Sequence, residues 1–153
     1  MSDLIEVQWS LVWSNLSLLG AAYLLALPVG WNRERYSRSA GLRTYPLVAL
    51  ATCGFMLVGI DVLSTTDAEG RVLQGLVTGM GFIGGGAILK SEGNVRGMAT
   101  AASLWSTGAI GLAVSWQRFE IAVVLSLITF LTLQFLPTVK PLVSKTDAAE
   151  DGD

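Results

Sequence analysis

The sequence predicts an all-α membrane protein with five transmembrane helices, and three observations lead to that fold class. Hydrophobic residues make up 52% of the chain and charged residues only 14%, whereas about 25% of the residues in a typical soluble domain are charged. The charges leave five uncharged runs of 17 to 26 residues, close to the roughly 20 that a bilayer-spanning helix requires. These runs are apolar on all sides, which is typical of helices surrounded by lipid.

The first predicted span covers residues 9–30. It is not expected to be a cleaved signal peptide, because such peptides open with positive charge, whereas Asp3 and Glu6 precede this span and the first cation is Arg33. Aromatic belts form at membrane interfaces, and aromatic residues near the predicted span ends agree with these limits. They are Trp9, Trp13, Trp31, Tyr45 and Trp116.

The second predicted span, residues 45–63, carries the sole cysteine, Cys53, and an acid, Asp61. Cys53 is interpreted as a small apolar residue that fills space between helices. Asp61 lies two residues before the outer end, and Arg71 begins the next span on the same side. Two interpretations stay open: an outer-side ion pair of Asp61 with Arg71, or a functional acid, since ionisable residues within spans usually serve function.

The third predicted span, residues 72–89, is rich in glycine. Small residues four positions apart let helix backbones approach closely in lipid, and clustered glycines also favour a bend or a broken helix beside a cavity. Both interpretations stay open. A dinucleotide-binding loop is excluded, because the GxGxxG spacing lies inside an apolar run. The predicted packing glycines are Gly75, Gly79, Gly81, Gly84, Gly85 and Gly86.

The fourth predicted span, residues 98–116, consists largely of small residues. Ala101, Ala102 and Gly108 are predicted to pack against neighbouring helices. The hydroxyl groups of this span are expected to bond to their own helix or to a neighbour, with a polar pathway as the alternative. These residues are Thr100, Ser103, Ser106 and Thr107.

The fifth predicted span, residues 119–139, resembles the first in its Leu, Ile and Val content, and both are expected to face lipid. The acidic tail, residues 141–153, is predicted to be a disordered cytoplasmic segment. The cations set the orientation: eight of the ten Lys and Arg residues fall on the side of the first and third connectors and the tail. The N-terminus is therefore predicted outside and the C-terminus in the cytoplasm.

The first cytoplasmic connector holds the densest group of charges, with four Arg and one Glu between Arg33 and Arg43. One interpretation is orientation together with attraction to anionic lipid headgroups. The other is a structured polar ring that attracts an anion, a phosphate-bearing lipid or an acidic partner loop, helped by free N–H groups where two spans begin. The predicted ring consists of Asn32, Arg33, Glu34, Arg43, Thr44, Arg96 and Thr100.

Several kinds of chemistry have no basis in this sequence. The chain contains no histidine and a single cysteine, so it lacks the usual general base and the usual zinc ligands. No two acids pair within a span, as a magnesium or calcium site would require. The net charge is −2, which argues against nucleic-acid binding. We therefore expect no enzymatic activity, no metal site, no cofactor and no nucleic-acid partner.

Three stretches between Gly30 and about Ala113 resemble the MgtC/SapB family of bacterial membrane proteins: GWNRERYSRSAGLRT, RVLQGLVTGMGFIGGGAIL and NVRGMATAASLWSTGAIGLA. Many members continue into a cytoplasmic regulatory domain, so this chain is interpreted as a short form. The family usually has an acid where this chain has Asn32, which removes a carboxylate pair with Glu34. Some relatives carry Asn and Cys where this chain has Ala99 and Ser106.

The resemblance implies a link to magnesium limitation, acid stress and survival inside host cells, and regulation of other membrane proteins such as the ATP synthase. Our first hypothesis is a regulator in the inner (plasma) membrane of a bacterium or archaeon that contacts lipid, a second copy and another membrane protein complex. The second is a small transporter or channel for a magnesium-related ion or a small solute. The glycine-rich span, Asp61, Gln74 and Thr78 support it.

The orientation is tested by labelling Asp67→Cys in a Cys53→Ser background with a membrane-impermeant maleimide. Position 67 lies in the second connector, which the cation bias places outside. We expect labelling in intact cells. Labelling in inverted vesicles alone would reverse the predicted topology.

Overall fold

A computed structural model of the chain describes residues 8–36, 40–91 and 94–150, with the backbone only at 89–91, 94 and 137–150. It contains five helices and one short hairpin. The elements in chain order are α1 (Trp9–Tyr36), α2 (Thr44–Val62), α3 (Thr66–Gly86), β1 (Leu89–Ser91), β2 (Asn94–Arg96), α4 (Met98–Ser115) and α5 (Phe119–Glu150).

The helical fold class is confirmed, and four helices are long and apolar enough to cross a membrane: α1, α2, α4 and residues 119–136 of α5. The third helix is not among them, because its first turns carry Asp67, Glu69 and Arg71. A fifth span and the orientation of the termini stay predictions.

Helix α3 starts six residues before the predicted span. Thr65 caps it by accepting a hydrogen bond from the Ala68 amide at 3.3 Å. The negative charges of the acids in its first turn stabilise the helix through the positive N-terminal end of its dipole. A search for uncharged runs misses such a start, because capping uses polar and acidic residues.

The hairpin of β1 and β2 was not predicted. The strands are antiparallel, with Leu89 opposite Arg96 and Ser91 opposite Asn94. Apart from Leu89, which was placed at the end of the third span, they lie in the predicted third connector, and α3 already ends at Gly86. Glycine has a low helix propensity, so three successive glycines favour the end of the helix. Strands of three residues are too short to show an alternating pattern in the sequence.

Helix α4 lies at the centre of the bundle and packs against all four other helices. Eleven of its 18 residues are buried, whereas only two of the 21 residues of α3 are. Helix α3 packs against α4 and α2 at the edge. The small side chains of α4 explain its place, because they allow several helices to approach it closely.

The backbones of α4 and α2 approach each other closely. A Cβ atom on Gly111 would overlap the backbone carbonyl of Ala49. The surrounding core combines small residues with a few larger ones from α1, α2, α4 and α5. Its buried members are Leu18, Ala22, Ala26, Ala49, Cys53, Ile110, Ala113, Val114 and Ala122.

Hydroxyl groups add cross-helix bonds, as the fourth span predicted. Ser106 Oγ lies 2.5 Å from Thr129 Oγ1 of α5, while Thr107 donates back to the Ser103 carbonyl oxygen at 2.8 Å. Ser126 of α5 donates to the Leu25 carbonyl oxygen of α1 at 2.6 Å. These bonds satisfy polar groups that lipid cannot hydrate.

Helix α5 continues beyond its apolar part to Glu150. At 1.5 Å per residue its 32 residues extend about 48 Å, longer than a hydrocarbon layer of about 30 Å. Its C-terminal end therefore projects from any membrane that the apolar part spans. The sequence predicted disorder for residues 141–153, whereas the structure places residues 141–150 in this helix. Residues 151–153 lie outside the described residues.

Substituting Gly111→Ala tests the contact at the bundle centre. The added methyl group must displace the α2 backbone, so we expect the free energy of unfolding to fall by about 1–3 kcal/mol. The measurement is unfolding by sodium dodecyl sulfate in mixed micelles, followed by tryptophan fluorescence. Gly20→Ala is the control, because a Cβ there meets no atom within 4 Å. An equal effect of both substitutions would contradict the close contact.

Candidate functional site

A cluster of polar side chains joins four helices at the end of the bundle that carries the first connector. We call it the polar cluster. Its residues come from the end of α1, the first turn of α2, the first two turns of α4 and the middle of α5. They are Asn32, Arg33, Tyr45, Thr100, Ser103 and Gln134.

Arg33 and Tyr45 connect α1 and α2 to the start of α4. Arg33 Nη2 donates to Thr100 Oγ1 at 2.9 Å. Tyr45 Oη lies 2.7 Å from Ser103 Oγ and 3.2 Å from the Thr100 carbonyl oxygen. Gly30 allows this packing, because a Cβ there would lie 3.3 Å from Tyr45 Cβ. The start of α4 is thereby held from two sides.

Asn32 connects α1 to α5. Its Nδ2 donates to Gln134 Oε1 at 2.7 Å, and the side chain is only 1% exposed. The Asn32 Oδ1 atom and the neighbouring Arg33 Nε atom are buried without a hydrogen-bond partner among the described residues. Unpartnered buried polar atoms are costly. The cluster therefore retains one acceptor and one donor for a further polar group.

Glu34 organises the end of the first connector. Its Oε2 accepts a hydrogen bond from the Leu42 amide at 3.0 Å, and a Cβ on Gly41 would overlap the same carboxylate. The sequence predicted Glu34 as a member of the polar ring, and a part in attracting an anion or a partner stays a prediction. The ion pair found among the described residues joins Arg118 to Glu120, and Arg38 lies outside those residues.

The structure brings together part of the predicted polar ring. Asn32, Arg33 and Thr100 belong to the polar cluster, and Glu34 lies beside it. Arg43 and Thr44 instead line a groove between α2 and α3. Arg96 is exposed at the end of β2.

Free N–H groups at the start of α2 were part of the predicted anion site, and that part is wrong. The amides of Thr44 and Tyr45 both donate to the Gly41 carbonyl oxygen, at 3.0 and 3.1 Å. The next residue, Pro46, has no N–H group. The Gly41 turn therefore uses the donors that an anion would have needed.

Tyr45 and Gln134 were missed as site residues. Tyr45 was assigned to an aromatic belt, but it is fully buried, because its hydroxyl group reaches polar partners on α4. Gln134 is the only amide side chain in the uncharged run 121–139. A buried amide in a span needs a partner, so that feature was a signal for a polar contact.

The outer-side pair does not form in the structure: Asp61 and Arg71 are both exposed, and no ion pair joins them. The predicted packing residues divide into two groups. Gly84 packs against Ala101, with 3.7 Å between a Cβ placed on it and Ala101 Cβ, and Gly108 packs against Met80. A Cβ would meet nothing within 4 Å at Gly75, Gly79, Gly81, Gly85 or Gly86.

Helix α3 is continuous through its glycines, so the broken helix that the sequence allowed is not found. A groove of about 830 Å³ separates it from α2. A second groove of about 460 Å³ separates it from α4 and is lined by Gly81, Gly85, Ala102 and Trp105 among others. The described residues contain no group of three or more His, Cys, Asp or Glu that could hold a metal ion.

Comparison with known proteins identifies relatives over most of the chain. The model of the MgtC family matches residues 19–142. Protein SrpB of Synechococcus elongatus is 35% identical over 135 residues, 79% of this chain and 74% of that protein. Protein MgtC of Salmonella choleraesuis is 33% identical over 138 residues, 90% of this chain and 58% of that protein.

A third relative is "Putative magnesium transporter YhiD" of Escherichia coli K12, 36% identical over 113 residues, 69% of this chain and 53% of that protein. The chain thus spans somewhat more than half the length of these MgtC and YhiD relatives. No solved structure matches it.

Tyr45→Phe tests the polar cluster, since it removes one hydroxyl group without changing the packing of the ring. The loss of a buried hydrogen bond should lower the free energy of unfolding by about 1 kcal/mol. The control is Tyr36→Phe, because Tyr36 is 66% exposed. Unfolding curves in mixed micelles measure both. If the unfolding curve of Tyr45→Phe coincides with that of the wild type, the hydroxyl group does not connect α2 to α4.

Proposed function

The chain belongs to the MgtC family, and from this premise we propose that it is a non-enzymatic regulatory protein of the bacterial inner membrane. It acts through helix contacts with other membrane proteins, and the MgtC/SapB resemblance links it to magnesium limitation or acid stress. The observation that carries the proposal is the exposure of α3. Only Met80 and Gly84 of this helix are buried, and Phe82 is 85% exposed.

The groove between α3 and α4 is the proposed contact surface. Gly81 and Gly85 lie four residues apart on one wall, and Ala102 and the half-exposed Trp105 lie on the other. Small residues at this spacing permit close helix approach, and a neighbouring tryptophan adds contact area. A second copy of the chain is the proposed occupant, so that the functional unit is a homodimer that presents its remaining surface to a larger complex.

A photo-crosslinking amino acid at Trp105 tests this surface in native membranes. We expect an adduct of two protomers, because the position borders the groove. Gly85→Leu should abolish the adduct and also growth under magnesium limitation in a strain that depends on the protein. The bundle should still fold, since a Cβ at Gly85 meets nothing within 4 Å.

Gly20→Leu is the matched control, because it places the same side chain at an open glycine of α1. It should leave the adduct and growth unchanged. If Gly85→Leu changes neither the adduct nor growth, the proposed contact in this groove is contradicted.

A small magnesium-related transporter is the second candidate function. The Asn32 Oδ1 atom, which has no hydrogen-bond partner among the described residues, favours it, because a buried carbonyl oxygen suits a hard cation. The name of the Escherichia coli relative, "Putative magnesium transporter YhiD", also favours it. Magnesium flux into liposomes containing the purified protein separates the candidates. Flux that Asn32→Leu abolishes would support the transporter, whereas absence of flux from a correctly folded preparation supports the regulator.

A further inference from the structure

The groove between α2 and α3 is apolar along its length and cationic at one end. Its end at the first connector is formed by Arg43 and Thr44, and its walls continue through Leu47, Ala51 and Phe55 on α2. Glycines of α3 open the opposite wall: Gly75 and Gly79 line the groove, and a Cβ on either meets nothing within 4 Å. Among the residues that the structure describes, Arg43 is the only charged one that lines it.

Away from the end formed by Arg43 and Thr44, the side chains of the groove make no polar demand on an occupant. Thr52 Oγ1 donates to the Val48 carbonyl oxygen at 2.6 Å, so its hydroxyl is satisfied by its own helix. The amide of Thr44 donates to the Gly41 carbonyl oxygen. An occupant must therefore be apolar over most of its length and anionic only where it meets Arg43.

The length of the groove corresponds to one membrane leaflet. Twelve helical steps from Arg43 to Phe55 cover about 18 Å, and half of a hydrocarbon layer of about 30 Å is about 15 Å. The guanidinium thus lies at headgroup level while the apolar walls extend towards the bilayer centre. Arginine also binds phosphate through two parallel hydrogen bonds.

We propose that this groove binds one anionic glycerophospholipid of the leaflet that faces the first connector. An acyl chain lies between α2 and α3 against Gly75 and Gly79, and the phosphate group lies at Arg43. The site is independent of the proposed dimer surface, because Gly81 and Gly85 lie on the opposite flank of α3, towards α4.

Native mass spectrometry of the purified protein, with phosphatidylglycerol or phosphatidylcholine added stepwise, measures this binding. We expect phosphatidylglycerol to be retained in preference to phosphatidylcholine. Arg43→Gln should weaken phosphatidylglycerol binding about fivefold, the effect of one basic residue near an anionic headgroup. Arg43→Lys should retain part of the preference, because it keeps the charge without the guanidinium fork.

Two further variants fill the groove from opposite walls. Gly79→Leu and Leu47→Trp should each reduce the binding of both lipids, and their unfolding curves in lipid-free micelles establish that the bundle is folded. Arg35→Gln is the control, because Arg35 belongs to the same end of the bundle but lies over the Trp31 ring, outside the groove.

Equal lipid binding by the wild type, Arg43→Gln and either filled variant would overturn the proposal. So would the loss of a two-protomer mass on filling the groove, since it would place a second copy there. A Trp105 adduct that survives Gly85→Leu would contradict the proposed dimer surface and, with lipid binding as expected, would leave the lipid site standing, so the two proposals fail separately.

Discussion

Helix α4 occupies the bundle centre because Gly111 has no side chain, which lets the backbone of α4 approach the backbone of α2 at Ala49. Lipid gives helices no hydrophobic reason to associate, so close van der Waals packing must hold the bundle together. The four helices around α4 depend on this contact. The hydroxyl groups of α4 form hydrogen bonds within their own helix or with α5, which lets a polar sequence serve as an apolar core.

The polar cluster follows from the same lack of water. Arg33 reaches Thr100, Asn32 reaches Gln134, and Tyr45 reaches Ser103, so that α1, α2, α4 and α5 are tied at one end. Buried polar networks specify one arrangement of helices when their members are satisfied. Two atoms of this network have no hydrogen-bond partner among the described residues, so this end of the bundle keeps one acceptor and one donor for a further polar group.

Helix α3 behaves differently from the other four. Its glycines contribute to the protomer only at Gly84, and both of its flanks are grooves. The α2 flank is apolar with one arginine at its end, which matches a lipid. The α4 flank is lined by small residues and one tryptophan, which matches another helix. The two proposed binding surfaces therefore lie on opposite flanks of one edge helix.

The sequence by itself determined the helical class, the starts of α1, α2, α4 and α5 to within one residue, and the hydroxyl bonds of α4, because charge segregation and composition are local properties. It placed the ends of α1 and α5 too early, since both helices continue into polar sequence. It did not determine the start of α3 or the hairpin, since polar capping residues and three-residue strands lie below what hydropathy detects. Tertiary structure alone decided that Tyr45 and Gln134 join Asn32 and Arg33 while Arg43 faces a separate groove. Partners such as Asn32 and Gln134 are 102 positions apart, and only the packing of four helices around α4 brings them together.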